Sequence, residues 1–300
     1  MPELPEVETI RRQLEKAVLN KKIVRVEILS RKQFPQNQKL VLNEKIIAVE
    51  RRAKILIFRL THKKNLIAHL KLSGQFIWIK GLKNKVKLKK PIQTIGQFLP
   101  SKSTRVIMTI GKGKLYFNEM RKFGWIKLLN NAELDKELEK YGIEPFKTDF
   151  TLANFEKSLT NTKRPIKTVL LDQKKIAGIG NIYANESLYL SKIHPSTPSN
   201  RLKKGQIKSL KNNLIKVLKL GLKYGGASDE YYIHPDANRG TYQNHFLIYG
   251  KAGQKCEARL SESFRSKDKF AKGDKNCGST IKRISLGGRG TYFCPKCQKI

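Results

Sequence analysis

Acidic side chains are scarce in this 300-residue chain. Against 62 Lys+Arg stand only 24 Asp+Glu, a formal charge of +38 at pH 7, so roughly one residue in eight carries a positive charge with no counterpart. That imbalance argues against an electroneutral metabolic enzyme. Cysteine is absent before Cys256, which excludes a disulfide framework running through the fold. Long apolar runs are missing as well. No stretch reaches the ~18 residues that a membrane span needs, and Met1 to Ile10 is acidic and lacks the apolar stretch of a secretion signal. A soluble cytoplasmic protein is expected.

Hydrophobic residues make up 39% of the chain, enough to bury a core, and the length suits two domains of ordinary size. The basic residues are 46 Lys and 16 Arg. An AT-biased genome accounts for the preference for lysine but not for the shortage of acids beside it. A polyanionic partner accounts for that shortage, with nucleic acid ahead of a membrane surface.

Periodicity divides the chain. Pro5 stands where a first helical turn tolerates it, and Val7, Ile10, Leu14 and Val18 follow at three- and four-residue spacing, which predicts an amphipathic helix. Glu6 and Glu8 come early in it and Arg11, Arg12 and Lys16 later, the order that suits the helix dipole. Five segments rich in Ile, Val, Phe and Leu then predict strands: Ile23 to Leu29, Ile46 to Leu60, Leu66 to Ile79, Arg105 to Phe117 and Trp125 to Leu129. A polar bridge from about Asn130 to Phe150 precedes helical patterns at Asn154 to Leu159, Ile166 to Leu171, Ala184 to Leu190 and Gln206 to Leu222. From about Tyr231 the chain is loop-rich.

Cys256, Cys277, Cys294 and Cys297 all fall in the last 45 residues. The two-residue gap of Cys294-Pro-Lys-Cys297 lets both thiolates meet one tetrahedral metal, and zinc fits best. Two disulfides would require an oxidising compartment that nothing here suggests. Four protein ligands leave no open position, so the zinc is structural. One irregularity stands out, because 20 residues separate Cys256 from Cys277 where a metal knuckle has two. The insertion carries Arg259, Arg265, Lys267, Lys269, Lys272 and Lys275, either an added DNA contact or a solvated loop.

At the other end, Pro2 follows Met1, and its small side chain allows the initiator to be removed. A free α-amine titrates near ~7.7–8.0 and a lysine near ~10.4, so at neutral pH the terminus is the readier nucleophile. Glu3 beside it can move a proton.

The string Met1-Pro-Glu-Leu-Pro-Glu-Val-Glu-Thr9 resembles the start of formamidopyrimidine-DNA glycosylases, which excise oxidised purines and then nick the strand. Lys174 to Ser187, with its Gly-Ile-Gly-Asn core, resembles that family's helix-two-turn-helix signature, and Gly290 to Gln298 resembles its zinc-finger tail. The resemblance spans the chain in the right order. It implies an α+β protein: a leading helix and β-sandwich (1–130), a linker (131–150), a helix-two-turn-helix DNA-binding domain (151–235), then a lesion-capping loop and zinc ribbon (236–300).

It also implies roles for individual residues. Pro2 becomes the Schiff-base nucleophile, Glu3 the general acid/base, Glu6 the second catalytic glutamate, and Lys54 of Arg51-Arg-Ala-Lys54 a contact to the phosphate or damaged base. An everted base leaves a space that must be filled. Arg121 and Phe123 of Met120-Arg-Lys-Phe-Gly124 would fill it together with Leu72, which stands where the family usually has methionine. Lys122 replaces a family arginine, and Asn118-Glu119-Met120 stands where the family has an acid and a proline. Asn181 and Arg289 would grip phosphates, Asp236 to Tyr242 matches the capping loop, and one structural zinc and a monomer on double-stranded DNA in the bacterial nucleoid complete the picture. Two rivals remain: the sister glycosylase for oxidised pyrimidines, whose members begin Met-Pro-Glu-Gly where Leu4 stands here, and a non-catalytic zinc protein that binds nucleic acid.

Phosphate neutralisation releases counterions, so binding of duplex DNA should weaken on a log–log salt plot with a slope of about −0.9 for each phosphate contacted. Affinity that stays flat with salt would refute the polyanion reading.

Overall fold

The computed structural model describes residues 1–228, 232–258 and 277–300. They form two compact units, Met1–Tyr141 with Lys219–Asn244, and Gly142–Leu218 with His245–Ile300.

The first unit opens with helix α1 (Leu4–Val18), which starts at Glu3 and buries Val7, Ile10, Leu14 and Val18 along one stripe. Ten strands follow: β1 (Ile23–Ile28), β2 (Ile46–Arg52), β3 (Ile55–Leu60), β4 (Lys64–His69), β5 (Gly74–Lys80), β6 (Val86–Ile92), β7 (Gly96–Leu99), β8 (Thr104–Ile110), β9 (Gly113–Glu119) and β10 (Trp125–Asn130). Two four-stranded antiparallel sheets, in the orders β1-β8-β9-β5 and β10-β4-β3-β2, make the sandwich. Between them, Phe76 packs against Phe117 with ring centres 5.1 Å apart and against Phe58 at 6.0 Å. The same core takes in the buried stripe of α1.

Each sheet is also covered on its outer face. Ile77, Ile107 and Tyr116 lie under Leu88, Ile92, Ile95 and Leu99 of the β6–β7 hairpin, and Ile233 joins them. Ile55, Ile57 and Ile67 lie under Leu134 of α2 (Asn131–Leu138). Burial on both faces explains why β3 reads as an almost continuous apolar run rather than an alternating one.

Two elements depart from the sequence reading. The stretch expected to be a linker begins with α2, where Asn130 accepts a hydrogen bond from the Glu133 amide and the Glu133 carboxylate reaches back to the Asn130 amide. This reciprocal cap makes a helix out of a polar segment that has a single fully buried side chain. The β6–β7 hairpin was hidden because lysines occupy its exposed positions and leave a sparse apolar pattern.

The second unit contains α3 (Leu152–Thr160), α4 (Ile166–Leu170), α5 (Asn181–Leu190) and α6 (Lys204–Lys223), the last belonging to it up to Leu218. A small antiparallel ribbon, β11 (Lys282–Leu286) and β12 (Arg289–Phe293), turns at Gly287 and Gly288, whose φ values of 59° and 70° suit a two-residue hairpin turn. Helix α5 is buried on nearly all sides. Among the described residues no helix is long and apolar enough to cross a membrane.

The Phe76→Ala variant, which empties the centre of the sandwich, should lose about 3–5 kcal/mol of unfolding free energy in a urea titration. A loss below about 1 kcal/mol would show that the sheets collapse onto the gap.

Candidate functional site

The amino end is built into the first unit. Pro2 and Glu3 are buried, whereas Met1 is 45% exposed. Glu6, itself buried, accepts the Glu3 amide through Oε2 at 2.8 Å and the Ala227 amide through Oε1 at 2.8 Å. Its carboxylate thus joins the first turn of α1 to the segment that follows α6, within one unit. Gly226 has a φ of 82°, and a side chain there would stand 2.8 Å from Glu6 Cγ. Only glycine permits this approach. Glu6 therefore fixes the residue next to the proposed nucleophile and makes defined backbone bonds with both oxygens.

Lys54 sits in the β2–β3 turn and is almost fully buried. The turn needs Ala53 at a φ of 53°. Arg51 holds it by donating to the Ala53 carbonyl at 2.9 Å and to Glu8 of α1 at 3.2 Å. Burial alone would raise the Glu8 pKa, but hydrogen bonds from Arg11 and Arg12 and the charge of Arg51 hold it below the usual carboxylate range. One ion cluster therefore ties the helix that carries the amino end to the turn that carries Lys54.

Beside that turn lies His69, a residue to which the sequence reading gave no role. It pairs with Ile55 across β3 and β4, packs on Trp125 with ring centres 5.9 Å apart, and accepts the Lys71 amide at Nδ1. Burial, Lys71 and Lys54 hold its pKa at about 3. It is a neutral imidazole at working pH. No periodic or spacing signal marks it, because its environment is made by strand pairing.

Leu72 lies between β4 and β5, and Arg121 and Phe123 lie between β9 and β10. The Gly74–Glu119 pairing places both loops at the same end of the β5–β9 pair. Phe123 is 52% exposed, Leu72 is half-buried, and the Arg121 guanidinium lies 5.4 Å from the centre of the Phe123 ring. Lys122 takes a φ of 58°, and its carbonyl accepts from Gln33 at 3.0 Å. Here the fold brings together three side chains separated by about fifty residues of sequence.

The segment 236–242, expected to be a capping loop, is a defined turn. The His234 amide donates to Asn238 at 2.9 Å, the Gly240 amide to Ser228 at 2.8 Å, and the Tyr242 amide to Gly226 at 3.1 Å.

In the second unit Asn181 begins α5, after a turn in which Gln173 accepts the Gly178 amide at 2.9 Å and donates to the Ile179 carbonyl at 2.8 Å. Gly178 has a φ of 89°. Asn181 donates to the Gly290 carbonyl at 3.1 Å, and Lys167 Nζ reaches the same oxygen at 2.9 Å. Arg289, exposed, is the residue just before Gly290. The two expected phosphate contacts, Asn181 and Arg289, are thus joined through one backbone carbonyl.

The four cysteine sulfurs lie within 4.8 Å of one another, with Cys277–Cys294 at 3.6 Å and Cys256–Cys297 at 3.9 Å. A tetrahedron with zinc–sulfur bonds of about 2.3 Å has edges of about 3.8 Å, so the cluster fits zinc. Burial and the neighbouring sulfurs push the Cys297 thiol upward, a penalty that a divalent cation offsets. The 20-residue spacing does not disturb the cluster. The Cys256 amide donates to Ser279, the Cys277 amide to Ala258 and the Gly278 amide to Cys256, which zips the two ends of the insertion together. Its basic residues, Arg259 to Lys275, lie outside the described residues. Elemental analysis should find one zinc per chain, and the Cys294→Ser variant should lose it; zinc-free native protein would overturn the site.

Three family descriptions match the chain: the formamidopyrimidine-DNA glycosylase N-terminal domain over residues 1–126, the H2TH domain of the same enzymes over 141–232, and the zinc finger found in FPG and IleRS over 275–300. The formamidopyrimidine-DNA glycosylase of Ligilactobacillus salivarius is 36% identical over 307 residues, with 100% of this chain and 99% of the relative covered. That of Streptococcus pyogenes is 35% identical, with the same coverage. A Lactococcus lactis FPG mutant crystallised with Fapy-dG containing DNA has a TM-score of 0.82 at 33% identity and covers 100% of both chains. The Lactococcus lactis Fpg with abasic-site DNA reaches 0.81 at 32%, with 99% of this chain and 100% of that one covered. With its whole length, its zinc cluster and its sandwich all matched, the chain belongs to the formamidopyrimidine-DNA glycosylase family.

Proposed function

We propose that this base excision repair glycosylase removes oxidised purines, 8-oxoguanine and formamidopyrimidines, from double-stranded DNA with the imino nitrogen of Pro2 as nucleophile, and then cuts the strand as an AP lyase. The observation that carries this reading is the buried, braced amino end: Pro2 and Glu3 stand at the head of α1, with the Glu3 amide on Glu6 and Glu6 on Ala227. A mobile tail would gain nothing from such bracing, whereas a nucleophile must be held in line with its target.

Once Met1 is removed, a secondary amine that titrates near neutrality attacks C1′ of the damaged nucleotide. The bond from C1′ to the base breaks, and the base leaves with a proton. Glu3 opens the sugar by proton transfer at its ring oxygen, leaving an iminium between Pro2 and C1′. Loss of a C2′ proton then expels the 3′ phosphate, and a second elimination expels the 5′ phosphate. Lys54, almost fully buried, offers a fixed cation to the flanking phosphate or the damaged base. Leu72, Arg121 and Phe123 fill the gap left in the stack; the Arg121 fork bonds the orphaned base while Phe123 wedges between neighbours. Asn181 and Arg289 take backbone phosphates, the first at a helix N-terminus. The protein works as a monomer in the bacterial cytoplasm, at the nucleoid.

Borohydride should trap a covalent adduct with a duplex carrying 8-oxoguanine opposite cytosine, and Pro2→Gly should reduce trapping by at least about a thousandfold. An absent adduct, or one that survives the substitution, refutes the assignment. The Lactococcus lactis Fpg is also known in complex with oxidized pyrimidine containing DNA. Faster excision of 8-oxoguanine than of thymine glycol is therefore the outcome that supports a purine preference, and the reverse order overturns it.

A further inference from the structure

We propose that Glu119 is a positioning residue that couples the two loops bearing Leu72, Arg121 and Phe123, so that the three side chains enter the helix as one rigid wedge. The inference rests on the reading above that these side chains fill the space of an everted base.

Glu119 ends β9 and is 0% exposed. Oε1 accepts from the Ser73 hydroxyl and, at 3.0 Å, from the Arg121 amide; Oε2 accepts the Gly124 amide at 2.7 Å. Ser73 follows Leu72, and its oxygen also accepts the Arg121 amide at 3.2 Å. One carboxylate therefore joins the two loops at the backbone positions that flank the wedge. Glu119 is itself fixed. Its amide donates to the Ser103 carbonyl at 2.8 Å, and its carbonyl accepts from Arg105 Nε at 2.9 Å. A β-carbon at Gly124 would come within 2.6 Å of Oε2 and 3.1 Å of the His69 carbonyl, so a side chain there would disturb this carboxylate. Above this rigid base, Arg121 and Phe123 project into solvent.

A plain structural brace would tie a turn to the core. Here the carboxylate ties the loop that precedes Gly74 to the exposed loop that follows β9, a Glu119–Ser73 separation of 46 residues, and the bond between them is made by a single hydroxyl. Two loops that moved independently would have to be ordered together each time a base is everted, a cost that coupling removes in advance. The chemistry at Pro2 does not need the coupling, which gives the test its contrast. A single strand with an abasic site has no base to evert and no partner base to hold apart, so the wedge is idle on it.

The experiment uses full-length Glu119→Gln, Glu119→Asp and Ser73→Ala proteins. Glu119→Gln replaces one acceptor with an amide that faces N–H and O–H donors. Ser73→Ala removes the link between the loops and leaves the Arg121–Gly124 turn bound to Glu119. Glu119→Asp keeps the charge on a shorter arm. Single-turnover excision of 8-oxoguanine from duplex is expected to fall about 10- to 100-fold in the first two and to recover in part with aspartate. Borohydride trapping on the single abasic strand should stay within about twofold of the wild-type protein. Unchanged duplex excision in Glu119→Gln or Ser73→Ala overturns the coupling. A parallel fall on both substrates also overturns it, by reducing Glu119 to a support for the fold. If the wild-type protein traps neither substrate, the glycosylase reading itself fails, and that result is distinct from a failure of the coupling alone.

Discussion

A carboxylate taken out of water needs donors for each of its oxygens, and a loop held in one conformation needs acceptors for its amides; each requirement answers the other. This chain, so short of acids, uses that exchange at Glu6, Glu119 and Glu186. Glu6 takes amides from Glu3 and Ala227, Glu119 from Arg121 and Gly124, and Glu186 from Leu247, Ile248 and Tyr249 at 2.8–3.0 Å. Burial raises the Glu186 pKa, and the three amides oppose that shift. Such bonds are charge-assisted and short, and removing the carboxylate leaves several buried amides unpaired at once. Acids with many partners therefore fix backbone, while the surplus of lysine and arginine remains available for phosphate.

The two-sided burial of the sandwich has a related effect. Because each sheet is covered by a further element, the ends of β4, β5 and β9 are held by packing on both faces, and the loops that leave them start from fixed points. Arg121 and Phe123 can then be exposed without being loose. The same separation holds in the second unit, where Lys167 and Asn181 hold the Gly290 carbonyl while the neighbouring Arg289 stays in solvent.

The sequence showed some of this plainly. The stripe of α1 and the Ile- and Val-rich strands follow from period alone, and the amino end, the Gly-Ile-Gly-Asn turn and the cysteine pair stood out as motifs. The turn at 53–54, inside a segment read as one strand, did not, since Ala53 enters positive φ without glycine; Ser73-Gly74 did mark the turn between β4 and β5. Helix α2 rests on one reciprocal cap rather than on a repeating pattern. The parts played by His69 and Glu119 come from strand pairing and from bonds between distant loops, which leave no periodic trace; the acid in place of the family's acid–proline pair was visible, but its partners were not.

The zipped ends of the finger insertion carry a last implication. Since Cys256 to Ala258 and Cys277 to Ser279 bond directly to one another, the metal tetrad is blind to how much chain runs between them, and the entropy of closing a longer loop grows only logarithmically. A change in the length or charge of that stretch would leave untouched the backbone bonds that seat the two flanking cysteines beside the ribbon.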